Sequence, residues 1–136
     1  MELKRGFTLI ELLAVIVILA IIAVIATPII VGIIEDARES AAEDSAYGAL
    51  DAVEKYYAQT LLSTSPATLP ITVDFGATSD TDTAIAGSKV DMSGTRPTAG
   101  TVTLSSAGAF NVTGLVINGY SCTYADDAFT CVKAAS

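Results

Sequence analysis

The chain has 136 residues with 7 Lys+Arg against 15 Asp+Glu, a formal charge of −8, no His, no Trp and only two Cys. That length suits one compact domain with one appended element rather than a multidomain enzyme. Lack of His excludes a His general acid/base, a Ser-His-Asp triad and a His-ligated metal within the chain, and a pI near 4.2 argues against wrapping nucleic acid, which needs clustered cations.

In chain order, residues 1–6 read as a short polar leader ending Lys4-Arg5-Gly6. Residues 7–34 read as a transmembrane or filament-core helix. Between Leu12 and Ile34 only Thr27, Pro28 and Gly32 fall outside the apolar set. A helix of that length spans roughly 35 Å, enough for a hydrocarbon core of about 30 Å. The cations in front place the N-terminus on the cytoplasmic side and everything after Ile34 outside. An ordinary secretory signal has an apolar core of about 7–15 residues and a small-x-small cleavage site. This stretch is longer and has no such site.

Residues 35–62 contain no proline and are dense in helix formers. Ala42, Ala46, Leu50, Val53, Tyr57 and Leu61 recur at steps of three or four and trace one helical face. Glu39, Glu43, Asp44, Asp51, Glu54 and Lys55 fall on the other side, as an exposed face would. One continuous helix from Phe7 to Leu62 would be roughly 80 Å long. Pro28 removes a backbone donor and is expected to bend or locally melt it, with Gly32 adding slack.

Residues 63–100 are rich in Ser, Thr, Asp, Gly and Pro, and read as a long connecting loop with at most one short strand near Ile71–Phe75. Residues 101–136 change to short β-prone runs: 101–105, 109–112 continuing to 115–118, 120–124 and 128–133. Asn118-Gly119, a strong hairpin signal, separates two of them, and Ser106-Ala107-Gly108 and Asp126-Asp127 supply the other turns. Such a meander is too small to bury a core alone. With the apolar face of residues 42–61 as its second layer the arrangement is α+β: a long N-terminal helix under a small C-terminal antiparallel sheet.

Asp126-Asp127 as a two-residue turn sets Tyr124 opposite Phe129 and Cys122 opposite Cys131, so a Cys122–Cys131 disulfide follows from register. Oxidation is expected outside the membrane. Closing a loop of about ten residues contributes roughly 2–3 kcal/mol by the chain-entropy argument. Asp80 and Asp82 form no complete calcium loop, since no D-x-D-x-D-G with a downstream Glu follows them. Asn111-Val112-Thr113 matches a glycosylation sequon but lies in a predicted strand. No cofactor, metal site or catalytic residue is expected.

Glu11 stands as a lone acid at the head of the apolar stretch, and a carboxylate beside lipid is expensive unless it finds a partner or a proton. If the chain were cut after Gly6, the new amine of Phe7 would lie one helical turn away. The run Lys4-Arg5-Gly6-Phe7-Thr8-Leu9-Ile10-Glu11, with the long apolar stretch and Pro28, resembles the class III leader and cleavage region of type IV pilins. Six leader residues with Phe7 at the cut resemble the type IVa subclass. The resemblance is specific over residues 4–34. It implies cleavage by a prepilin peptidase between Gly6 and Phe7 and N-methylation of Phe7. It further implies docking of Glu11 against a neighbour's N-terminus, and melting of the helix at Pro28 as subunits pack.

The function expected is thus that of a major pilin. The precursor would be held by lipid in the cytoplasmic membrane, then polymerised by the pilus assembly machinery into a homopolymeric cell-surface filament, with no specific nucleic acid partner. Cleavage leaves 5 basic against 14 acidic residues, a net −9. A pseudopilin of a secretion or competence system would carry the same leader. A monomeric membrane-anchored binding domain would need neither Glu11 nor the Gly6–Phe7 junction.

Overall fold

The computed structural model describes residues 5–135, so Glu2 and Lys4 of the leader lie outside the described residues. The chain divides into two units, residues 1–37 and 38–136, and the helix α1, Leu9–Leu61, runs through both. Six strands follow: β1 Ile71–Asp74, β2 Ile85–Ala86, β3 Ala99–Leu104, β4 Phe110–Ile117, β5 Tyr120–Ala125 and β6 Ala128–Lys133. They form one sheet in the order β2-β1-β3-β4-β5-β6, antiparallel except for the β1–β2 pair. The α+β arrangement anticipated from the sequence is the one observed.

In the first unit α1 is nearly all apolar, and none of its most hydrophobic 18-residue window is buried. It is long and apolar enough to cross a membrane. Of the bend or local melting expected at Pro28, melting is not seen in this chain: the helix is continuous through both Pro28 and Gly32. Proline removes one rung of the ladder. At the residue just before it, the Thr27 hydroxyl donates to the Ala23 carbonyl at 2.6 Å, adding a local bond beside the gap.

In the second unit, Ala42, Ala46, Ala49, Leu50, Ala52 and Val53 of α1 are buried against the sheet. Small side chains on this stripe let the backbone approach closely. Gly48 is the extreme case, since a Cβ there would meet the Ser93 carbonyl oxygen at 2.5 Å. The sheet contributes Val73, Val102, Leu115, Ile117, Cys122 and Cys131, all essentially inaccessible. The predicted helical face is correct from Ala42 to Val53. It fades at Tyr57, which is half-buried, and fails at Leu61, which is 53% exposed.

Two sequence expectations need correction here. Residues 63–100 hold more structure than one strand, for β2, a 3-10 turn at Gly87–Lys89 and the start of β3 also lie within them. Their order comes from polar side chains rather than apolar periodicity. The Arg96 guanidinium donates to the carbonyls of Gly87 and Val90. Asp80 accepts from the Lys89 ammonium and from the Ala86 N–H. The second correction concerns Glu43, placed on the exposed face by pattern alone. It is half-buried, and its Oε1 accepts from the Cys131 N–H at 3.3 Å.

That contact belongs to a pair. One turn further along α1, the Tyr47 hydroxyl accepts from the Phe129 N–H at 3.1 Å. β6 is an edge strand, so these are backbone donors that would otherwise face outward. Two helix side chains therefore occupy the donor row of the sheet edge. Phe129 also packs edge-on against Tyr47 at 5.0 Å and against Tyr124 at 4.8 Å, which fixes the hairpin to the helix.

β3 and β4 meet at a bulge between Ala99 and Thr101. Gly100 in it has φ +105°, and a Cβ there would lie 2.5–2.6 Å from the Leu115 and Gly114 backbone. Gly100→Ala is expected to cost about 3 kcal/mol or more in the urea unfolding of the second unit, from conformational strain and backbone overlap combined. An unchanged midpoint would mean that the bulge relaxes freely.

Candidate functional site

The N-terminal region is built by the residues that open α1. Thr8 is the last residue before the helix, and its carbonyl accepts from the Leu12 N–H at 3.2 Å. Its hydroxyl accepts from the Glu11 N–H at 3.3 Å, while Glu11 Oε2 accepts from the Thr8 N–H at 3.0 Å. This is a reciprocal capping box, which satisfies two donors that a helix start leaves open. The acid also sits in the first turn, where the helix dipole favours negative charge. Its partner Thr8 is the residue that the sequence reading passed over, although Thr-x-x-Glu before an apolar run is the capping-box signal.

Upstream, Gly6 and Phe7 lie outside the helix and are exposed, Phe7 at 92%. A peptidase needs a reachable backbone at its cleavage point, and these two residues are exposed and outside the helix. Structure thus brings Glu11 together with Thr8, one turn from Phe7. Pro28 stands apart, more than four helical turns along α1.

The remaining sequence-derived site residues belong to the second unit. Cys122 and Cys131 face each other across β5–β6 and are joined as a disulfide, both essentially buried. Tyr124 lies opposite Phe129, the register expected from an Asp126-Asp127 turn. Asp80 is already engaged by Lys89 and by backbone, and these bonds hold its carboxyl below the usual value, the Lys89 hydrogen bond first and the Ala86 N–H second. Lys89 is correspondingly raised by Asp80. Among the described residues no group of three or more His, Cys, Asp or Glu is placed to hold a metal ion. Asn111 and Thr113 lie within β4, paired to β3.

Residues 1–27 match the family model described as the prokaryotic N-terminal methylation motif. The chain carries that motif. It ends one residue before Pro28 and covers the leader, the Gly6–Phe7 junction, the capping box and most of the apolar stretch. The motif, followed by an exposed helix long and apolar enough to cross a membrane, supports a type IV pilin-like precursor. The motif also implies processing by a prepilin peptidase. No curated protein and no solved structure matches the chain.

Proposed function

We propose that the chain is the major structural subunit of a type IV pilus. The observation that carries this reading is the methylation motif at residues 1–27, running into the first part of α1, whose most apolar 18-residue window is wholly unburied. So much unpartnered apolar surface requires lipid or other helices around it. In the precursor that partner is the cytoplasmic membrane. Cleavage between Gly6 and Phe7 removes the leader cations and creates an amine at Phe7, which is then methylated. In the filament the helices of neighbouring subunits take the place of lipid.

Glu11 sets the axial register. A carboxylate in an apolar surround is stable only when neutralised, and the Phe7 amine of a neighbour supplies the charge. Its capping bond uses Oε2, and a carboxylate has further acceptor sites on both oxygens. Pro28, where the backbone ladder already lacks one donor, is the position at which α1 opens during packing. The sheet and residues 63–100 form the outer surface, and the Cys122–Cys131 bridge holds the last strand in place.

The intact mass of protein sheared from the cell surface tests this reading. A mass equal to residues 7–136 plus one methyl group, less two hydrogens, is expected. A mass still beginning at Met1, with protein found only in membranes, would overturn it in favour of a simple anchored domain.

A further inference from the structure

Residues 90–97 form a strap that leaves the 3-10 turn and lies on α1 before β3 begins. Val90 and Pro97 at its ends are buried. The Arg96 guanidinium ties those ends together by donating to the Gly87 and Val90 carbonyls. Between them, every residue from Asp91 to Arg96 is exposed except Met92. Met92 is half-buried and packs against the core. It is the one large apolar side chain in that run, and the chain's only methionine after Met1.

The strap meets the helix at two points. At Gly48, the position a Cβ would take has the Ser93 carbonyl oxygen at 2.5 Å and the Met92 methyl at 3.7 Å. One turn earlier along α1, the strap bends over Ser45 at Gly94, whose φ is +89°. The buried Ser45 hydroxyl accepts from the Thr95 N–H at 3.2 Å and donates to the Ala41 carbonyl at 2.8 Å. Met92 therefore supplies the apolar hold of residues 91–95 on α1, and the Thr95–Ser45 bond a polar one.

A thioether fills such a gap well because it is flexible and polarisable, and it is also open to oxidation. Hydrogen peroxide transfers one oxygen to the Met92 Sδ: the S–O bond forms, the O–O bond breaks and water leaves. Sulfur loses two electrons and the peroxide gains them. The sulfoxide is polar and chiral where the thioether was apolar. A polar group held against an apolar core without a hydrogen bond is costly, and the Thr95 N–H three residues on is already given to Ser45. Ser93 abuts the helix at Gly48, so the backbone has no room to shift inward around the added oxygen.

We propose that Met92 is a sulfoxidation site, and that its sulfoxide frees residues 91–95 from α1. Opening uncovers the helix backbone at Gly48 and the Ser45 hydroxyl. Reduction of the sulfoxide restores the apolar anchor and closes the strap. The site lies wholly in the second unit and stands apart from the filament reading.

Amide exchange tests it, on the full chain in detergent micelles treated with hydrogen peroxide and followed by NMR and peptide mass. The peptide holding Met92 should gain one oxygen. The Thr95 amide should then exchange about tenfold faster, as for a local opening that leaves β3 and β4 protected. Methionine sulfoxide reductases A and B should return both readings to their starting values. Met92→Leu keeps an apolar side chain of similar volume and should show the slow exchange with or without peroxide. Met92→Gln puts a polar group in the same place and should exchange fast with no oxidant. Peroxide that leaves Met92 unmodified until the protein unfolds would overturn the proposal. So would a fully oxidised Met92 with unchanged Thr95 exchange, or equal acceleration by peroxide in the Met92→Leu chain.

Discussion

Glu11→Ala is expected to abolish surface filaments while the precursor accumulates, intact, in the membrane. Removing one member of a buried charge pair costs about 3–5 kcal/mol, because the other is left uncompensated. Here the orphan would be the Phe7 amine, and the loss recurs at every subunit added. The capping box complicates a simple reading, since alanine also removes the bond from Glu11 to the Thr8 N–H. Glu11→Gln separates the two roles. Glutamine serves in a capping box as glutamate does, but it carries no charge for a neighbour's amine. Immunoblots of sheared and membrane fractions should therefore show both variants failing alike. Filaments restored by glutamine would mean that Glu11 matters only for starting the helix.

The second large effect is expected at the disulfide. Replacing Cys122 and Cys131 together by Ser should lower the stability of the second unit by about 2–3 kcal/mol, the chain entropy released when a loop of this size is opened. For a unit of roughly one hundred residues that corresponds to a melting temperature about 10–20 °C lower. The double variant is the cleaner choice, since a single one leaves a reactive thiol. Both positions are essentially buried, so an Ala pair measured beside it reports any penalty from the hydroxyls. Coincident melting curves for oxidised and cysteine-free protein would show that the hairpin is held by its other contacts alone. Those contacts are substantial: Phe129 is gripped by Tyr47 and Tyr124, and Cys131 by Glu43.

Much of this was legible before any coordinates, for identifiable reasons. The apolar segment is a matter of composition, and the four strands after residue 98 are punctuated by turns whose residue types demand them. Hairpin register followed from Asp126-Asp127, because a two-residue turn fixes every pair above it. The middle of the chain was not legible. Its short strand β2 and the 3-10 turn are held by Arg96, Asp80 and Lys89 reaching across six to nine residues. Long-range polar bonds of that kind leave no periodic trace.

At the candidate site the balance is similar. Glu11 stood out because a lone acid before an apolar run is costly, and the Gly6–Phe7 junction because the run around it resembles a type IV pilin leader. The partner of Glu11, Thr8, is a donor that satisfies the acid's oxygen without neutralising its charge, so the cost of the charge does not point to it. Glu43 and Tyr47 were hidden for a different reason. Helical periodicity sorts residues into buried and exposed, and both lie on the boundary, apolar in their stems and polar at their tips. At Pro28 one missing donor did not melt a helix otherwise strong on both sides.

The covered edge of β6 bears on how such a protein tolerates crowding. In the filament proposed above, subunits stored in a membrane and then concentrated in a fibre would meet at densities where bare strand edges zip together into cross-β aggregates. With the Phe129 and Cys131 donors taken by Tyr47 and Glu43, strand-to-strand pairing at this edge must first displace two side chains. Association is thereby channelled into helix and side-chain contacts, which can be undone.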